Sequence, residues 1–402
     1  MKEGMEMENL IPVSYKLLKG MNESVILNII RKMGPISRAD IAKETNLTPP
    51  TVTNIVNKLL ADNVVIEYKV GESSGGRPPI LIKLNPDFMN IIVIHISTYT
   101  LHQYTLDAEL NTKKSEKHSI KGLKKEEVLD LLLSTLEKAI KEAPQNVSGI
   151  GIVVRGPVKM KEGISVFAPN IGWRNMPLKS IVEEKFGIPT YIVNDVRAMA
   201  LGEFHMGKAK DVVNMIFLKV GYGIGSAILI NGRIYTGASD SAGEIGHTTI
   251  DVAGPQCSCG NYGCFEALAS EKALVNFVVK AIKEGTDSIV YQMAEGMLDS
   301  VTPEMIYEAA KLNDDLAVST LRIIGRYLGI GIANIINTFN PELILIGGGI
   351  VQGREFFEDI MRETAKKRAF ESAFNACSIA FSELGPNATL IGAANLVMDE
   401  VL

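Results

Sequence analysis

From about Asn90 onward, short apolar runs alternate with amphipathic segments, and this alternation restricts the chain to an α/β fold. Ile91–Ile96 is continuously apolar and predicts a buried strand, whereas Glu126–Ala143 repeats apolar residues at helical spacing. The further predicted strands and helices are Gly149–Val154, Thr190–Val193, a helix from Val196, Met215–Val220, Ser226–Ile230, a long helix over Leu316–Thr338, and Leu343–Ile346. The order of elements shows no internal repeat at solenoid spacing.

Length and composition place the chain among ordinary multidomain globular proteins. Its 402 residues predict two or three domains, and its hydrophobic share of 46% and charged share of 22% are typical of soluble proteins. This composition excludes disordered and collagen-like chains. The uninterrupted apolar runs are far shorter than the ~20 residues of a membrane span, and the acidic N-terminus lacks the apolar region of a signal peptide. We therefore expect a cytoplasmic protein without membrane segments.

Residues 22–61 differ from the rest of the chain and predict three short helices. The first follows helical spacing and ends at Gly34. Ser37 is expected to cap the second, because Asp40 three positions later completes a capping box. Thr48 is expected to cap the third, whose first turn contains prolines. Two helices joined by a short turn form a helix-turn-helix, in which the later helix is the candidate recognition helix.

The segment after the third helix predicts a β-wing. Val64–Val70 and Ile80–Leu84 read as two strands joined by a glycine-rich tip that carries Arg77. Short polar side chains on the recognition helix suit base edges and phosphates. The predicted DNA-binding residues are Ser37, Arg38, Thr48, Thr51, Thr53, Asn54, Lys58 and Arg77. The alternative is a small helical interaction module with a polar third helix.

Net charge changes at the same boundary. Residues 1–85 carry 11 Lys and Arg against 9 Asp and Glu, a net charge of +2, whereas the remainder carries 30 against 37, a net charge of −7. A slightly basic module on an acidic protein is compatible with binding of nucleic acid through that module alone. The asymmetry is too small to establish that function.

Three of the four cysteines lie within eight residues of one another. Cys257, Cys259 and Cys264 follow His247, and glycines between them permit tight turns. One imidazole and three thiolates make a closed tetrahedral set for Zn²⁺, so the metal is predicted to be structural rather than catalytic. The alternative is three reduced cysteines in a surface loop. A disulfide framework does not fit this clustering in a large cytosolic chain.

Carboxylates flank this cluster in the sequence. Glu244 and Glu266 lie on either side of it, and Asn194-Asp195 follows a predicted strand, where α/β folds bind ligands. Paired carboxylates accept hydrogen bonds from vicinal hydroxyls, so the three positions together predict a site for a polyhydroxylated ligand. Taken singly, Asn194-Asp195 also reads as a helix cap, and each glutamate as a surface acid.

These motifs resemble those of the ROK family of repressors and sugar kinases, over essentially the whole chain. Gly243-Glu244-Ile245-Gly246-His247, followed by the Cys-x-Cys-Gly-x-x-Gly-Cys-x-Glu run, resembles the family's zinc and sugar signature. The winged helix is similar to that of ROK repressors, and several stretches resemble the xylose repressors most: Ser73-Ser74-Gly75-Gly76-Arg77, Ala168-Pro169-Asn170-Ile171-Gly172-Trp173-Arg174 and Asn337-Thr338-Phe339-Asn340-Pro341.

The resemblance implies a winged helix-turn-helix, with helices and a β-wing, joined to an α/β actin-like (ribonuclease H-like) bilobal body. The implied domains are 1–85 for DNA binding and 86–402 for sugar sensing. The body then divides into a small lobe of about 86–196 plus 385–402 and a large lobe of about 197–384. The sugar contacts it implies are Asn170, Asn194, Asp195, Glu244, His247 and Glu266. It further implies operator DNA as a partner and a homodimer or dimer of dimers.

A sugar kinase is the main alternative, because Asp195 matches the general base of ROK kinases. Those kinases begin their first body strand with Asp-x-Gly-Gly-Thr, whereas this chain has His95-Ile96-Ser97-Thr98 there. Arg155 and Tyr222 also replace residues that are usually small. We therefore expect a sugar-responsive repressor without catalytic activity. A scaffolding protein would leave both the wing and the ligand site unexplained.

Overall fold

The computed structural model describes residues 15–70, 78–144, 146–210 and 212–402. The N-terminal elements are α1 (Tyr15–Met33), β1 (Ile36–Ser37), α2 (Arg38–Thr45), α3 (Pro49–Ala61), β2 (Val65–Val70) and β3 (Ile80–Leu84). The three strands form an antiparallel sheet in the order β1-β3-β2. This arrangement is a winged helix, as the sequence predicts. The two-residue strand β1 is too short to have a sequence pattern of its own.

The caps of the winged helix agree with the sequence at one helix and differ at another. Ser37 caps α2, because its hydroxyl accepts a hydrogen bond from the backbone N–H of Asp40 at 3.1 Å. Thr48 occupies the N-cap position of α3, but its hydroxyl pairs with that of Thr51 at 2.9 Å and makes no cap hydrogen bond. The prolines at the start of α3 explain the difference, since they remove backbone donors that a cap would satisfy.

The first lobe of the body follows directly. Its elements are β4 (Asn90–Ile96), β5 (Thr100–Leu106), β6 (Thr112–Ser119), α4 (Lys125–Glu142), β7 (Val147–Val154), β8 (Val158–Lys159), β9 (Ile164–Ala168), β10 (Trp173–Met176), α5 (Leu178–Phe186), β11 (Thr190–Asn194) and α6 (Asp195–Met206). Its main sheet has the order β11-β7-β4-β5-β6, in which β11, β7 and β4 are parallel. The carboxyl ends of those three strands therefore meet at one edge.

The second lobe repeats this topology. Its elements, with the last helix of the chain, are β12 (Met215–Val220), β13 (Ile224–Ile230), β14 (Arg233–Ile234), α7 (Phe265–Ala269), α8 (Glu271–Lys283), α9 (Ile289–Met293), α10 (Pro303–Lys311), α11 (Asp315–Phe339), β15 (Leu343–Gly347), α12 (Arg354–Arg368), α13 (Glu371–Ala376), β16 (Ser378–Phe381) and α14 (Asn387–Val401). The sheet order β14-β13-β12-β15-β16 mirrors the first, with an antiparallel hairpin beside parallel strands.

Helix α14 returns to the first lobe and packs along α6 and against β7. Glycines permit this close approach of the two helices: a Cβ atom at Gly392 would lie 1.7 Å from the carbonyl oxygen of Ala198, and one at Gly202 would lie 2.1 Å from that of Ala388. The chain thus ends beside the lobe that began the body. The exact lobe bounds given above stay predictions.

The winged helix and the first lobe share one apolar cluster. One buried cluster contains Ile30 and Leu84 of the winged helix together with Ala108 and Met398 of the body. Lys83 of the wing also pairs with Glu109, with 2.9 Å between the charged atoms. The winged helix therefore contacts the lobe that contains α6 directly.

Helix α11 is the one helix of the described ranges that is long and apolar enough to cross a membrane. It packs against α12, α7, α8 and α10, and it supplies a large part of the buried core of the second lobe. Its apolar composition is explained by this central position. Isolated polar residues interrupt it, so a count of uninterrupted apolar runs does not reveal its length.

Candidate functional site

A cavity of about 590 Å³, here called the interlobe cleft, lies between the two lobes. Its walls include the carboxyl ends of β4, β7 and β11 in the first lobe and of β12 in the second. Five of the six residues predicted to contact a sugar line it: Asn194, Asp195, Glu244, His247 and Glu266. This volume and its location at strand ends are typical of small-molecule sites in α/β proteins.

Asp195, in the first turn of α6, is the most buried carboxylate of the cleft, with 7% of the residue exposed. Lys219 on β12 donates a hydrogen bond to its Oδ2 at 2.7 Å. Burial alone would raise the pKa of Asp195, but the charge and hydrogen bond of Lys219, with a contribution from Arg155, hold it below its ordinary value. Asp195 is therefore an ionised acceptor at neutral pH, and its salt bridge joins the two lobes.

Asn194 positions Asp195. Its Oδ1 accepts hydrogen bonds from the backbone N–H groups of Val196 and Arg197 at 2.8 and 3.3 Å, which caps α6. Its Nδ2 donates to the carbonyl oxygen of Gly156 at 2.9 Å. The helix-cap interpretation of this residue is thus correct, and Asn194 lines the cleft at the same time.

The structure brings His247, Cys257, Cys259 and Cys264 together, with one candidate ligand atom from each within 4.8 Å of the others. Nδ1 of His247 lies 3.6 Å from Sγ of Cys257, and the sulfurs of Cys259 and Cys264 lie 3.7 Å apart. Thiolates bound tetrahedrally to zinc at ~2.3 Å are about 3.8 Å apart. The four side chains fit a zinc ion, which the nitrogen and three sulfurs would hold with no open position.

Glu266 connects the cysteine loop to the cleft. Its Oε2 accepts a hydrogen bond from the backbone N–H of Ile224 at 2.8 Å, and a Cβ atom at Gly223 would lie only 2.6 Å from that oxygen. The backbone of the turn between β12 and β13 therefore lies directly against the carboxylate of Glu266. The exposed Glu244 lies next to the short helix that carries His247. Both carboxylates are placed by the loop that the cysteines fold.

The turn between β4 and β5 is closed by side chains. The hydroxyl of Ser97 pairs with that of Thr100 at 2.7 Å, and Arg155 donates a hydrogen bond to the hydroxyl of Thr98. Burial lowers the pKa of the neighbouring His95, against the opposing charge of Asp195, so this imidazole is neutral at neutral pH. A side-chain network and a neutral ring thus occupy the position where the kinases have an acid and open glycine backbone.

Asn170 does not line the interlobe cleft. Its Nδ2 donates to the carbonyl oxygen of Ser97 at 2.7 Å, while its Oδ1 is buried without a hydrogen-bond partner in the described part of the chain. Asn170 therefore supports the β4–β5 turn from outside the cleft. Any contribution to ligand binding is indirect in this conformation.

Two cleft residues were missed by sequence reasoning. Lys219 had a local signal, since it is the single charged residue of the buried strand β12. Arg197 had none, because an arginine early in a helix usually lies on the surface. It is 6% exposed and donates hydrogen bonds to the carbonyl oxygens of Val158 at 3.5 Å and Asp240 at 2.6 Å. Arg197 therefore links the lobes at the edge of the cleft.

A second candidate site is the outer face of α3. Thr48, Thr53 and Asn54 are exposed there, and Thr51 is half-buried. Lys58 is exposed but pairs with Glu23 of α1 at 2.7 Å, and Arg38 pairs with Glu67 at 3.4 Å. The threonines and Asn54 form a short polar surface that suits entry into a DNA groove.

Two of the predicted DNA contacts, Ser37 and Arg77, do not belong to the outer face of α3. Ser37 is 3% exposed, and its hydroxyl caps α2. It therefore does not face a duplex, although the sequence predicts a DNA contact there. The physical reason is that residue 37 also belongs to strand β1, which pairs with β3. Arg77 lies outside the described residues.

Comparison with known proteins gives two family matches. A model described as the ROK family matches residues 99–400, and a model of winged helix-turn-helix DNA-binding domains matches residues 23–66. The first match covers the whole interlobe cleft except His95, Ser97 and Thr98. The second covers both helices of the helix-turn-helix and the recognition face of α3.

Individual relatives include both regulators and a kinase. The xylose repressor of Caldicellulosiruptor bescii is 36% identical, over 97% of this chain and 98% of that protein. The crystal structure of a ROK family transcriptional regulator, a homolog of the Escherichia coli MLC protein, superimposes with a TM-score of 0.83 at 30% identity, over 96% of each chain. A ROK family glucokinase from Streptomyces griseus, solved with glucose and AMPPNP, gives 0.66 at 28% identity, over 77% of this chain and 99% of that chain.

Proposed function

The chain belongs to the ROK family, and we propose that this sugar-responsive transcriptional repressor binds operator DNA through α3 and its wing and a monosaccharide in the interlobe cleft. The observation that carries the proposal is a single helix, α6, which begins in the cleft at Asp195 and ends beside the winged helix. A cytoplasmic location and a homodimer that reads two half-sites go with this role.

The proposed sugar contacts are Asn194, Asp195, Glu244, His247 and Glu266, with Asn170 acting from behind the β4–β5 turn. Ionised carboxylates accept hydrogen bonds from pairs of hydroxyls, and the bonds to charged acceptors are the stronger ones. The relative from Caldicellulosiruptor bescii is a xylose repressor, so a pentose is the first effector to test.

We propose structural Zn²⁺ as the metal of the cysteine loop. Bound through Nδ1 of His247 and the thiolates of Cys257, Cys259 and Cys264, it would fix the loop that carries Glu244 and Glu266. His247 itself lines the cleft, so its other ring nitrogen is available to a sugar hydroxyl. The metal would thus act by holding ligand-binding side chains in place.

Coupling between the two sites is proposed to run along α6. At its far end His205 lies 3.3 Å from Asp399 of α14, and Asp399 also pairs with Arg31 of α1. A sugar that contacts both lobes favours one lobe angle, and α6 carries that change to the winged helix. The effect on operator affinity equals the sugar's difference in affinity between the two states, and it is reciprocal.

Sugar kinase activity is the second candidate, because the Streptomyces griseus relative is a glucokinase and Asp195 is present. One observation beyond the altered β4–β5 turn disfavours it. Glu271 lies close to the β12–β13 turn and to Gly349, which follows β15: the backbone N–H of Glu271 donates to the carbonyl oxygen of Gly221 at 2.8 Å, and a Cβ atom at Gly349 would lie 2.1 Å from Oε1 of Glu271. A buried acid there opposes the approach of a polyphosphate.

The proposal is tested by mobility-shift titration of in vitro selected operator DNA, with and without a panel of pentoses and hexoses. Asn54→Ala should lose operator binding and keep sugar binding, whereas the exposed Ser134→Ala on α4 should behave as wild type. No effect of any sugar on operator affinity would contradict the coupling. ATP-dependent phosphorylation of a sugar by the purified protein would establish the kinase instead.

A further inference from the structure

A second cavity, of about 450 Å³ and here called the junction cavity, lies where the winged helix meets the first lobe. Its walls come from the ends of α1 and β3, the β5–β6 turn, the end of α6, and α14. The interlobe cleft lies at the opposite end of α6, so the two cavities are separate sites. The proposed coupling passes through Arg31 and His205 in its wall, but the sugar response places no ligand in this cavity.

The junction cavity is basic although the body of the protein is acidic. Four cationic side chains and an imidazole line it: Arg31, Lys32, Lys83, Lys210 and His205. Its single lining carboxylate, Glu109, is paired with Lys83 at 2.9 Å. Within the described ranges, neither Lys32 nor Lys210 takes part in an ion pair.

Arg31 adds an unused donor to this surplus of charge. Its side chain is only 7% exposed, and one guanidinium nitrogen, Nη2, pairs with Asp399. The other, Nη1, is buried and has no hydrogen-bond partner among the residues the structure describes. His205, also 7% exposed, approaches the same carboxylate of Asp399 at 3.3 Å. Two buried basic groups thus share one acid, and a buried unpaired donor is costly.

Helix dipoles do not account for the charge. The C-terminal ends of α1 and α6 reach this cavity, and each resembles about half a negative charge whose influence is limited to the last turn. Arg31, Lys32 and His205 all lie in those last turns, and two half charges balance about one positive charge. A surplus of positive charge remains, to which Lys210 also contributes, together with the guanidinium nitrogen of Arg31 that has no partner in the described part of the chain.

We propose that the junction cavity binds a small phosphorylated anion, whose phosphate group is held by Arg31, Lys32 and Lys210. Guanidinium and ammonium groups are the usual protein partners of phosphate. The volume of the cavity lies within the range of small-molecule sites. Because the walls belong to both the winged helix and the body, an occupant stabilises one arrangement of the two and changes operator affinity.

Calorimetric titration of the full-length protein in phosphate-free buffer tests this site, with inorganic phosphate, ribose 5-phosphate and ribose as probes. Both phosphates should bind and ribose should not. The double variant Lys32→Gln/Lys210→Gln should bind them at least about tenfold more weakly, since bonds to charged groups are worth that much. The matched pair Lys121→Gln/Lys161→Gln, on exposed positions elsewhere, should bind as wild type.

The probes and variants separate the outcomes. If ribose 5-phosphate binds more tightly than inorganic phosphate, the ligand of the junction cavity is a phosphate monoester. If the two bind equally, the ligand is free phosphate. Absence of binding, equal binding of ribose, or equal weakening by the control pair overturns the proposal. Sugar affinity, measured on the same variants without phosphate, should be unchanged. Simultaneous loss of sugar binding would show that sugar and phosphate share a single site, and would also overturn the proposal. Arg31→Gln, checked for a wild-type melting curve, should weaken phosphate binding independently.

Discussion

The two ends of α6 differ in almost every property that matters for recognition. At the first residue, Asp195 lies in a cleft lined by four carboxylates, three cationic side chains and two imidazoles, and its salt-bridge partner Lys219 comes from the other lobe. Ten residues later, about 15 Å away, His205 lies among cations around one carboxylate. The same helix thus has a site of mixed charge at one end and a basic site at the other. Sugar recognition and communication with DNA can therefore be altered separately.

The largest expected effect is at the cleft end of α6 and comes from loss of the metal from the cysteine loop. Cys264→Ser removes a fully buried ligand, so zinc content should fall from one per chain to near zero. A loss on the order of 3 kcal/mol would lower Tm by about 6–12 °C. Elemental analysis and differential scanning fluorimetry measure both. Cys377→Ser, outside the cluster, is the control and should change neither; retention of zinc by the Cys264 variant would contradict the ligand set.

Asp195→Asn tests the same end without removing the loop. The variant keeps the shape of the side chain but loses the charge that pairs with Lys219 and accepts from a hydroxyl. Sugar affinity should fall roughly 10- to 150-fold, the effect of one hydrogen bond to a charged group, while operator affinity without sugar stays the same. Calorimetry and mobility shift measure the two quantities. Asp130→Asn on the exposed face of α4 is the matched control.

Asp399→Asn tests the other end of α6. The substitution removes the negative charge with which both Arg31 and His205 pair. The effect of sugar on operator affinity, expressed as the ratio of the affinities with and without sugar, should therefore move at least about fivefold toward one. Sugar affinity itself should change less than about twofold, because the cleft is distant. Glu400→Gln, the exposed neighbour, is the control. An unchanged ratio would show that coupling bypasses this cluster.

The smallest effect is a pH dependence of stability from His95. Burial lowers the pKa of this imidazole in the folded protein, so the unfolded chain binds the extra proton first as pH falls below about 6.5. Stability should therefore decrease between pH 7 and pH 5.5, by at most about 1.4 kcal/mol per pH unit. His95→Asn should flatten that part of the curve. In the same range Asp195 contributes no change, because its pKa is lowered and its pairing is lost only in stronger acid.

Sequence reasoning succeeded where a segment is long and periodic or where spacing is chemically specific. The predicted helix over 316–338 is α11, and the predicted strand over 91–96 is β4, each within one residue at its ends. The spacing of the three cysteines brought them together with His247, as predicted. In both cases the pattern is local, so neighbouring residues carry the information.

It failed where the structure depends on distant parts of the chain. Arg31 and Asp399 pair across 368 positions, and nothing near either residue indicates the other. The short strands β1 and β8 are too brief for an alternating pattern to appear. The duplicated strand order of the two lobes was not recognised either, because topology can recur without a sequence repeat.

The apolar cluster that joins the winged helix to the body has a consequence for synthesis. Ile30 and Leu84 share it with Val397 and Met398, which lie at the other end of the chain. At about 5–20 residues per second, the ribosome makes Val397 and Met398 roughly 15–60 s after Leu84. For that interval the winged helix exists without its full packing partner. Its docked arrangement can therefore form only after Met398 has been made.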